Sequence, residues 1–224
     1  MGAAIDLDGV MFRGRDVLAG ARDAIERLRD AEIPFVFFTN GGGVLESEKA
    51  KELNARLGTS FELNENHVVL SHSPMKHWLE DYKKKKVLVL GFNRYVDVAE
   101  SYGFERFVTP SQLVRADPDR FAFTSYGIGS CHERNVSDSQ VAVDGEPFDA
   151  IIQLTDCVDW LMESQVCLDI LRGDSTTQQQ QQQQQTIKQC VPYVVTQTFH
   201  HFFMFQLLEK SNTLRNPKQV LQFK

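Results

Sequence analysis

The stretch Ala4-Ile5-Asp6-Leu7-Asp8-Gly9-Val10 decides how the rest of the chain is read. It is a short apolar run that ends in two carboxylates one residue apart. Alternate side chains of a β-strand point to the same face, so Asp6 and Asp8 are expected to face one site while Leu7 turns back into the core. Two carboxylates held that close repel each other unless a divalent cation or a shared proton offsets the charge. The pattern therefore points to a hard metal ion and a phosphate. Its plain alternative is a strand that ends in a solvated acidic turn.

A second signal follows. Ala21, Ala24, Ile25 and Leu28 recur at i, i+3, i+4 and i+7, the spacing of one helix face. Pro34 marks the exit from that helix, and Phe35-Val36-Phe37-Phe38 is a continuous apolar run of the kind found in buried parallel strands. It runs into Thr39-Asn40-Gly41-Gly42-Gly43, and the pattern predicts a second helix from about Leu45 to Leu57, closed by Gly58. Strand, helix, strand, glycine turn and helix make a βαβα unit with a right-handed crossover. In such sheets ligands bind beyond the carboxyl ends of the strands, where Asp6, Asp8 and Thr39 are expected to meet. Glycines at the start of a helix let backbone N–H groups approach a phosphate, whose charge the helix N-terminus favours. The alternative for Thr39-Asn40 is an ordinary helix cap and turn.

Asp6-Leu7-Asp8-Gly9-Val10 and Phe38-Thr39-Asn40 resemble motifs I and II of the haloacid dehalogenase (HAD) superfamily of phosphohydrolases. Too few residues separate Asp8 from the helix at Ala21 to house a cap domain there, so the resemblance is to class IIA, whose cap follows the second motif. Thr39-Asn40-Gly41-Gly42-Gly43, Ser71-His72-Ser73-Pro74, Val89-Leu90-Gly91 and Val98-Ala99-Glu100-Ser101-Tyr102-Gly103-Phe104 resemble the cat eye syndrome critical region branch of that class. The likeness runs from about Ala3 to Leu171.

The resemblance implies an α/β fold: a Rossmann-like doubly wound parallel sheet, with a partial class IIA (C2-type) α/β cap. It divides the chain into the first half of a HAD core (residues 1–82), a partial cap (83–172), a glutamine-rich linker (173–190) and a divergent tail (191–224). The activity it implies is Mg²⁺-dependent hydrolysis of a small phosphate ester through an aspartyl-phosphate intermediate. In that scheme Asp6 is nucleophile and metal ligand. Asp8 is general acid and base, with its backbone carbonyl on the metal. Thr39, Asn40 and Gly41 hold the phosphate. The compartment implied is mitochondrial, with cytoplasmic as the alternative, and the partner is a small phosphorylated molecule.

Two expected features are missing. The superfamily's third motif carries a lysine, and its fourth carries an acidic pair after a Gly-Asp. Gly173-Asp174 is followed only by Glu209 among acidic residues, and Lys188, Lys210 and Lys218 lack the expected context. Val191-Pro192-Tyr193-Val194-Val195 resembles the strand that returns the chain from cap to core. The chain is thus expected to be the amino-terminal part of a class IIA enzyme with a substituted or truncated tail. The alternative function is a catalytically incompetent isoform or fragment that only binds ligand or partner. A phospho-acceptor receiver domain ranks last, because Val68-Val69-Leu70-Ser71 ends without the required aspartate.

The remaining sequence constrains partners more than chemistry. A chain of 224 residues with net charge −6 offers no electrostatic reason to bind nucleic acid or an anionic membrane. Lys83 to Lys86 is expected to be a solvated turn before the strand Val87-Leu88-Val89-Leu90. Cys131, Cys157, Cys167 and Cys190 lack CxxC spacing and read as reduced thiols, and Cys131-His132 has no second pair with which to make a zinc site. Val96, Ala99 and Tyr102 mark a helix, Phe107-Val108 a strand, and Phe148 to Leu154 another. A further helix is expected from about Asp159 to Leu171, with a loop-rich stretch from Arg115 to Pro147. Gln178 to Gln185 reads as a low-complexity linker, and the aromatic run Phe199 to Phe205 as a face packed on apolar surface.

Overall fold

The computed structural model describes residues 2–117, 140–157, 159–172, 193–195 and 220–222. Two parallel sheets organise them. In the first, β1 (Ala3–Ile5) pairs with β4 (Phe35–Phe38), and β4 with β5 (Val68–Val69), giving the order β1-β4-β5. The register sets Ala3 opposite Phe35 and Ile5 opposite Phe37. Helices α1 (Ala21–Asp30) and α2 (Glu46–Leu57) pack Ala21, Ile25, Ala50, Leu53 and Leu57 with Phe37, Leu7 and Met11. Gly58 ends α2 at φ 59°, a left-handed conformation that costs glycine little.

Between β1 and α1 lies a hairpin with no counterpart in the sequence reading: β2 (Phe12–Arg13) and β3 (Asp16–Val17) pair antiparallel. Arg56 of α2 fastens it. Its guanidinium lies 3.7 Å from the centroid of the Phe12 ring and donates to the Gly14 carbonyl at 2.7 Å.

The second sheet has the order β10-β9-β8-β6-β7, built from β6 (Val87–Leu90), β7 (Phe107–Val108), β8 (Ala150–Gln153), β9 (Tyr193–Val195) and β10 (Val220–Gln222). All its pairings are parallel. β6 and β8 are buried along their whole length, as parallel strands covered on both faces must be. Leu88, Leu90 and Ile151 pack on α5 (Pro110–Ala116) and α7 (Trp160–Arg172) through Val114, Met162, Val166 and Ile170. Val87, Val89, Ala150 and Ile152 pack on α3 (Met75–Trp78) and α4 (Tyr95–Ser101) through Met75, Tyr95, Val98 and Ala99. A short helix α6 (Gln140–Val143) precedes β8. Cys157 and Cys167 are free and buried, and burial together with Glu163 pushes both thiols up, so they stay protonated.

Three expectations need correction. The start of the stretch expected to be loop-rich belongs to α5, whose Thr109 and Gln112 form a capping box with Pro110 at the first turn. Tyr193–Val195, expected to return the chain to the first sheet, pairs with β8 in the second. Of the lysine run, Lys84 and Lys85 are exposed, but Lys86 is 2% exposed. Its ammonium bonds Asp144 at 2.5 Å and the Glu146 carbonyl at 2.8 Å, beside the Phe148 ring. Arg106 bonds the same Asp144 at 3.0 Å. Burial would raise the Asp144 carboxyl, but Lys86 and Arg106 outweigh it and hold it below the usual range. The Gln178–Gln185 linker, the Phe199–Phe205 run, Cys131-His132, Cys190, Gly173-Asp174 and Lys188, Lys210 and Lys218 lie outside the described residues. Among the described residues no helix is long and apolar enough to cross a membrane.

The ion pair is asymmetric, because Lys86 is enclosed whereas Asp144 is partly solvated and has a second cation. Asp144→Ala leaves a buried charge uncompensated and is expected to cost about 3 kcal/mol of stability. Lys86→Met leaves Asp144 on Arg106 and is expected to cost about 1 kcal/mol. Urea denaturation of both variants measures the difference, and equal costs would contradict it.

Candidate active site

Asp6 is the first residue after β1 and Asp8 stands two further on. Both are exposed, whereas Leu7 between them is 2% exposed and packs with Phe37 and Ile25. The alternation expected from the sequence is therefore present. The Leu7 N–H donates to Asp6 Oδ1 at 2.8 Å, which orients that carboxylate. The N–H groups of Met11 and Phe12 both turn back onto the Leu7 carbonyl, at 2.9 and 3.0 Å. With Gly9 at φ 82°, they form the tight turn that presents Asp8 before the hairpin begins.

Thr39 follows β4, and the parallel register brings it to the same sheet edge as Asp6. It is 4% exposed, its N–H donates to the Val69 carbonyl at 3.1 Å, and its Oγ1 accepts the Gly41 N–H at 3.1 Å. The Thr39 hydroxyl thus keeps its own hydrogen to donate. The Gly41 N–H, expected to meet a phosphate, is engaged by Thr39 in this state. Asn40 and Gly41 are exposed beside it.

The donor set suits a hard cation in kind: two exposed carboxylates at the end of one strand. Mg²⁺ is commonly held by one or two carboxylates, with waters and phosphate oxygens completing the shell. Among the described residues no three His, Cys, Asp or Glu side chains gather into a fuller ligand set.

The glycine turn is packed from below by residues that pattern reading did not place. A Cβ on Gly42 would stand 2.6 Å from Ser71 Oγ and 2.7 Å from Thr155 Cγ2. Gly43, at φ 73°, lies against the Phe92 carbonyl, and its own carbonyl accepts the Arg94 N–H at 2.8 Å. Beside them His72 is fully buried. Its Nε2 stands 3.2 Å from the Val44 carbonyl and its Nδ1 2.7 Å from the Tyr102 hydroxyl. Ser73 donates to Glu46 Oε1 at 2.6 Å, and the Tyr102 hydroxyl oxygen stands 3.0 Å from that same carboxylate oxygen. The sequence signal for this cluster was Ser71-His72-Ser73-Pro74 itself, but nothing in that tetrapeptide names its distant partners.

Comparison with known proteins agrees with this geometry. Residues 3–105 match the family described as haloacid dehalogenase-like hydrolase. The chain is similar to a mitochondrial hydrolase of Saccharomyces cerevisiae, 30% identical over 174 residues, covering 77% of this chain and 47% of that one. It is 37% identical over 112 residues to the sugar-phosphatase AraL of Bacillus subtilis, covering 50% of this chain and 40% of that one. The chain thus spans less than half the length of these curated relatives. Its fold resembles that of the 4-nitrophenylphosphatase of Thermotoga maritima with a TM-score of 0.58 and 16% identity, over 99% of this chain and 67% of that one. With the aspartate pair, the threonine turn and the parallel sheets in place, it is the segment 3–105 that belongs with the haloacid dehalogenase-like hydrolases.

Proposed function

We propose that this chain carries the phosphate-handling half of a Mg²⁺-dependent phosphohydrolase acting on a small phosphate ester. One observation carries the reading: Asp6 and Asp8 are both exposed at the end of β1, while Leu7 between them is buried. Residues 3–105 match a hydrolase family, and AraL, named as a sugar-phosphatase, supports a phosphorylated small molecule as substrate. The yeast relative, named as mitochondrial, supports that compartment.

In this reading an Asp6 carboxylate oxygen attacks phosphorus in line with the ester oxygen. The P–O bond to the leaving group breaks as Asp8 delivers a proton to that oxygen. Asp8, now ionised, takes a proton from water, whose oxygen attacks the phosphorus of the aspartyl phosphate and releases inorganic phosphate, restoring Asp6. Thr39 donates its free hydroxyl hydrogen to a phosphate oxygen, and Asn40 and Gly41 offer backbone N–H groups once Gly41 leaves Thr39. Bound Mg²⁺, held by Asp6 and by Asp8, would lower the repulsion between carboxylate and phosphate.

A second reading, ligand binding without turnover, is favoured by one observation: among the described residues no three His, Cys, Asp or Glu side chains gather to hold a metal, so Asp6 and Asp8 have no third such ligand. Hydrolysis of 4-nitrophenyl phosphate by the full chain decides between them. Activity that needs MgCl₂, vanishes with EDTA and falls at least about 10³-fold in Asp6→Asn supports the enzyme. Phosphate binding without turnover would establish the second reading. Thr39→Val removes one hydrogen bond to a charged group and is expected to lower kcat/KM about ten- to hundredfold, with thermal stability nearly unchanged.

A further inference from the structure

The hydrogen bonds around His72 close in one protonation state of the imidazole and leave a gap in the other. A carbonyl only accepts, so the contact to Val44 requires hydrogen on Nε2. With the imidazole neutral, Nδ1 is bare and must accept the Tyr102 hydroxyl hydrogen across 2.7 Å. The Tyr102 oxygen then faces Glu46 Oε1 at 3.0 Å with no hydrogen between them. With Nδ1 protonated, the chain closes instead: Nδ1–H donates to Tyr102, and Tyr102 donates to Glu46. Ser73 donates to Glu46 in either form and receives the Leu70 N–H at 2.9 Å.

We propose that His72 is a positioning residue for the Gly41–Val44 turn, and that its protonation redirects the Tyr102 hydroxyl from the imidazole to Glu46. The turn and helix α4 are then held together differently in the two forms. The location makes this consequential. His72 grips the turn at Val44, its Cδ2 lies where a Cβ on Gly42 would come within 3.1 Å, and Glu46 begins α2 directly after the turn. Tyr102 closes α4 of the second sheet's layer. One proton therefore acts on the segment that follows Thr39 and on a helix of the other layer at once.

Among the described residues, titratable groups reach this cluster from three elements. From α2 it is Glu46, and from the end of α4 its C-cap Tyr102. From α3 comes Lys76, whose ammonium stands 5.8 Å from the centroid of the Tyr102 ring. After β6, Arg94 gives its backbone N–H to the Gly43 carbonyl of the turn, while its guanidinium is taken up by Glu48 and Asp97. Burial holds the imidazole below its ordinary pKa, against the pull of Glu46 and the Val44 carbonyl. Burial would raise Glu46, but the Ser73 hydroxyl, its own backbone N–H, His72 and Tyr102 hold it low. Near neutral pH the imidazole is thus the neutral form, and acid drives the exchange. The sign for stability follows. The unfolded chain takes up this proton first, so the contribution of neutral His72 is complete above about pH 6.5 and declines as pH falls toward the lower folded value.

The test is a pH titration of the full ¹⁵N-labelled chain by NMR from pH 8 to 5, following the His72 ring and the amides of Gly41, Gly42 and Gly43. The expected result is a neutral ring with hydrogen on Nε2 at high pH, and glycine amides that shift with the same midpoint as the ring. Tyr102→Phe should shrink the glycine shifts while the ring still titrates, and Glu46→Gln should move the ring midpoint lower. His72→Gln keeps a donor for Val44 and should leave the glycine amides in place but insensitive to pH. Glycine amides that stay flat while the ring titrates, or a ring whose only hydrogen sits on Nδ1, would overturn the proposal. The consequence for a bound phosphate rests on the function proposed above. The resonances do not require turnover, so the two can fail separately.

Discussion

Parallel pairing of β1 with β4 is the constraint on which everything else depends. With Ala3 opposite Phe35 and both strands running the same way, the residues after Ile5 and after Phe38 emerge at one edge. An antiparallel pairing would send Asp6 and Thr39 to opposite ends of the sheet. Parallel strands cannot be joined by a tight turn, so the chain must cross over through α1, which pays its way by burying Ala21 and Ile25 against Phe37. Leu7 belongs to the same constraint. Its burial holds the pleat in phase, and a slip of one residue would turn both aspartates into the core.

The second sheet obeys the same logic more fully. Because helices cover both faces, β6 and β8 have no polar side to show, and their alternate residues divide cleanly between two apolar layers. The two sheets meet where their carboxyl-end loops interlock. Gly42 lies against Ser71 and Thr155, Gly43 against Phe92, and the Phe92 N–H donates to Thr155 Oγ1 at 2.6 Å. Side chains are excluded from the turn by contacts with both layers, so its triple glycine serves packing as well as any approach to a phosphate.

What could be read in advance was what local periodicity encodes. β1, α1, β4, α2 and the Gly58 cap were legible because their apolar spacing and end signals lie within one element. α5 was missed although Thr109-Pro110-Ser111-Gln112 carried its capping box, since the irregular stretch beyond it weighed more heavily. The two-residue strands of the hairpin are too short for any period to show. Buried polar groups were illegible for a different reason. Lys86 finds Asp144 58 residues away, and Tyr102 finds Glu46 across 56, so each looks like a surface residue in its own neighbourhood. The same holds for the site: Asp6, Asp8 and Thr39 announce themselves at strand ends, whereas the residues that hold the turn in place do not.

That the joint is polar has a mechanical meaning. An apolar contact of similar size tolerates sliding, because one buried methyl group replaces another at little cost. The His72, Tyr102 and Glu46 contacts do not, since displacing any one of them strands a buried donor or acceptor at about 1–3 kcal/mol each. Such a network gives up some gross stability relative to hydrocarbon and gains a defined geometry. At this position the geometry defined is that of the segment between Thr39 and α2, whose Gly41 N–H now rests on the Thr39 hydroxyl and, in the function proposed, turns outward. A turn gripped at Val44 and open at Gly41 can make that small motion without disturbing either sheet.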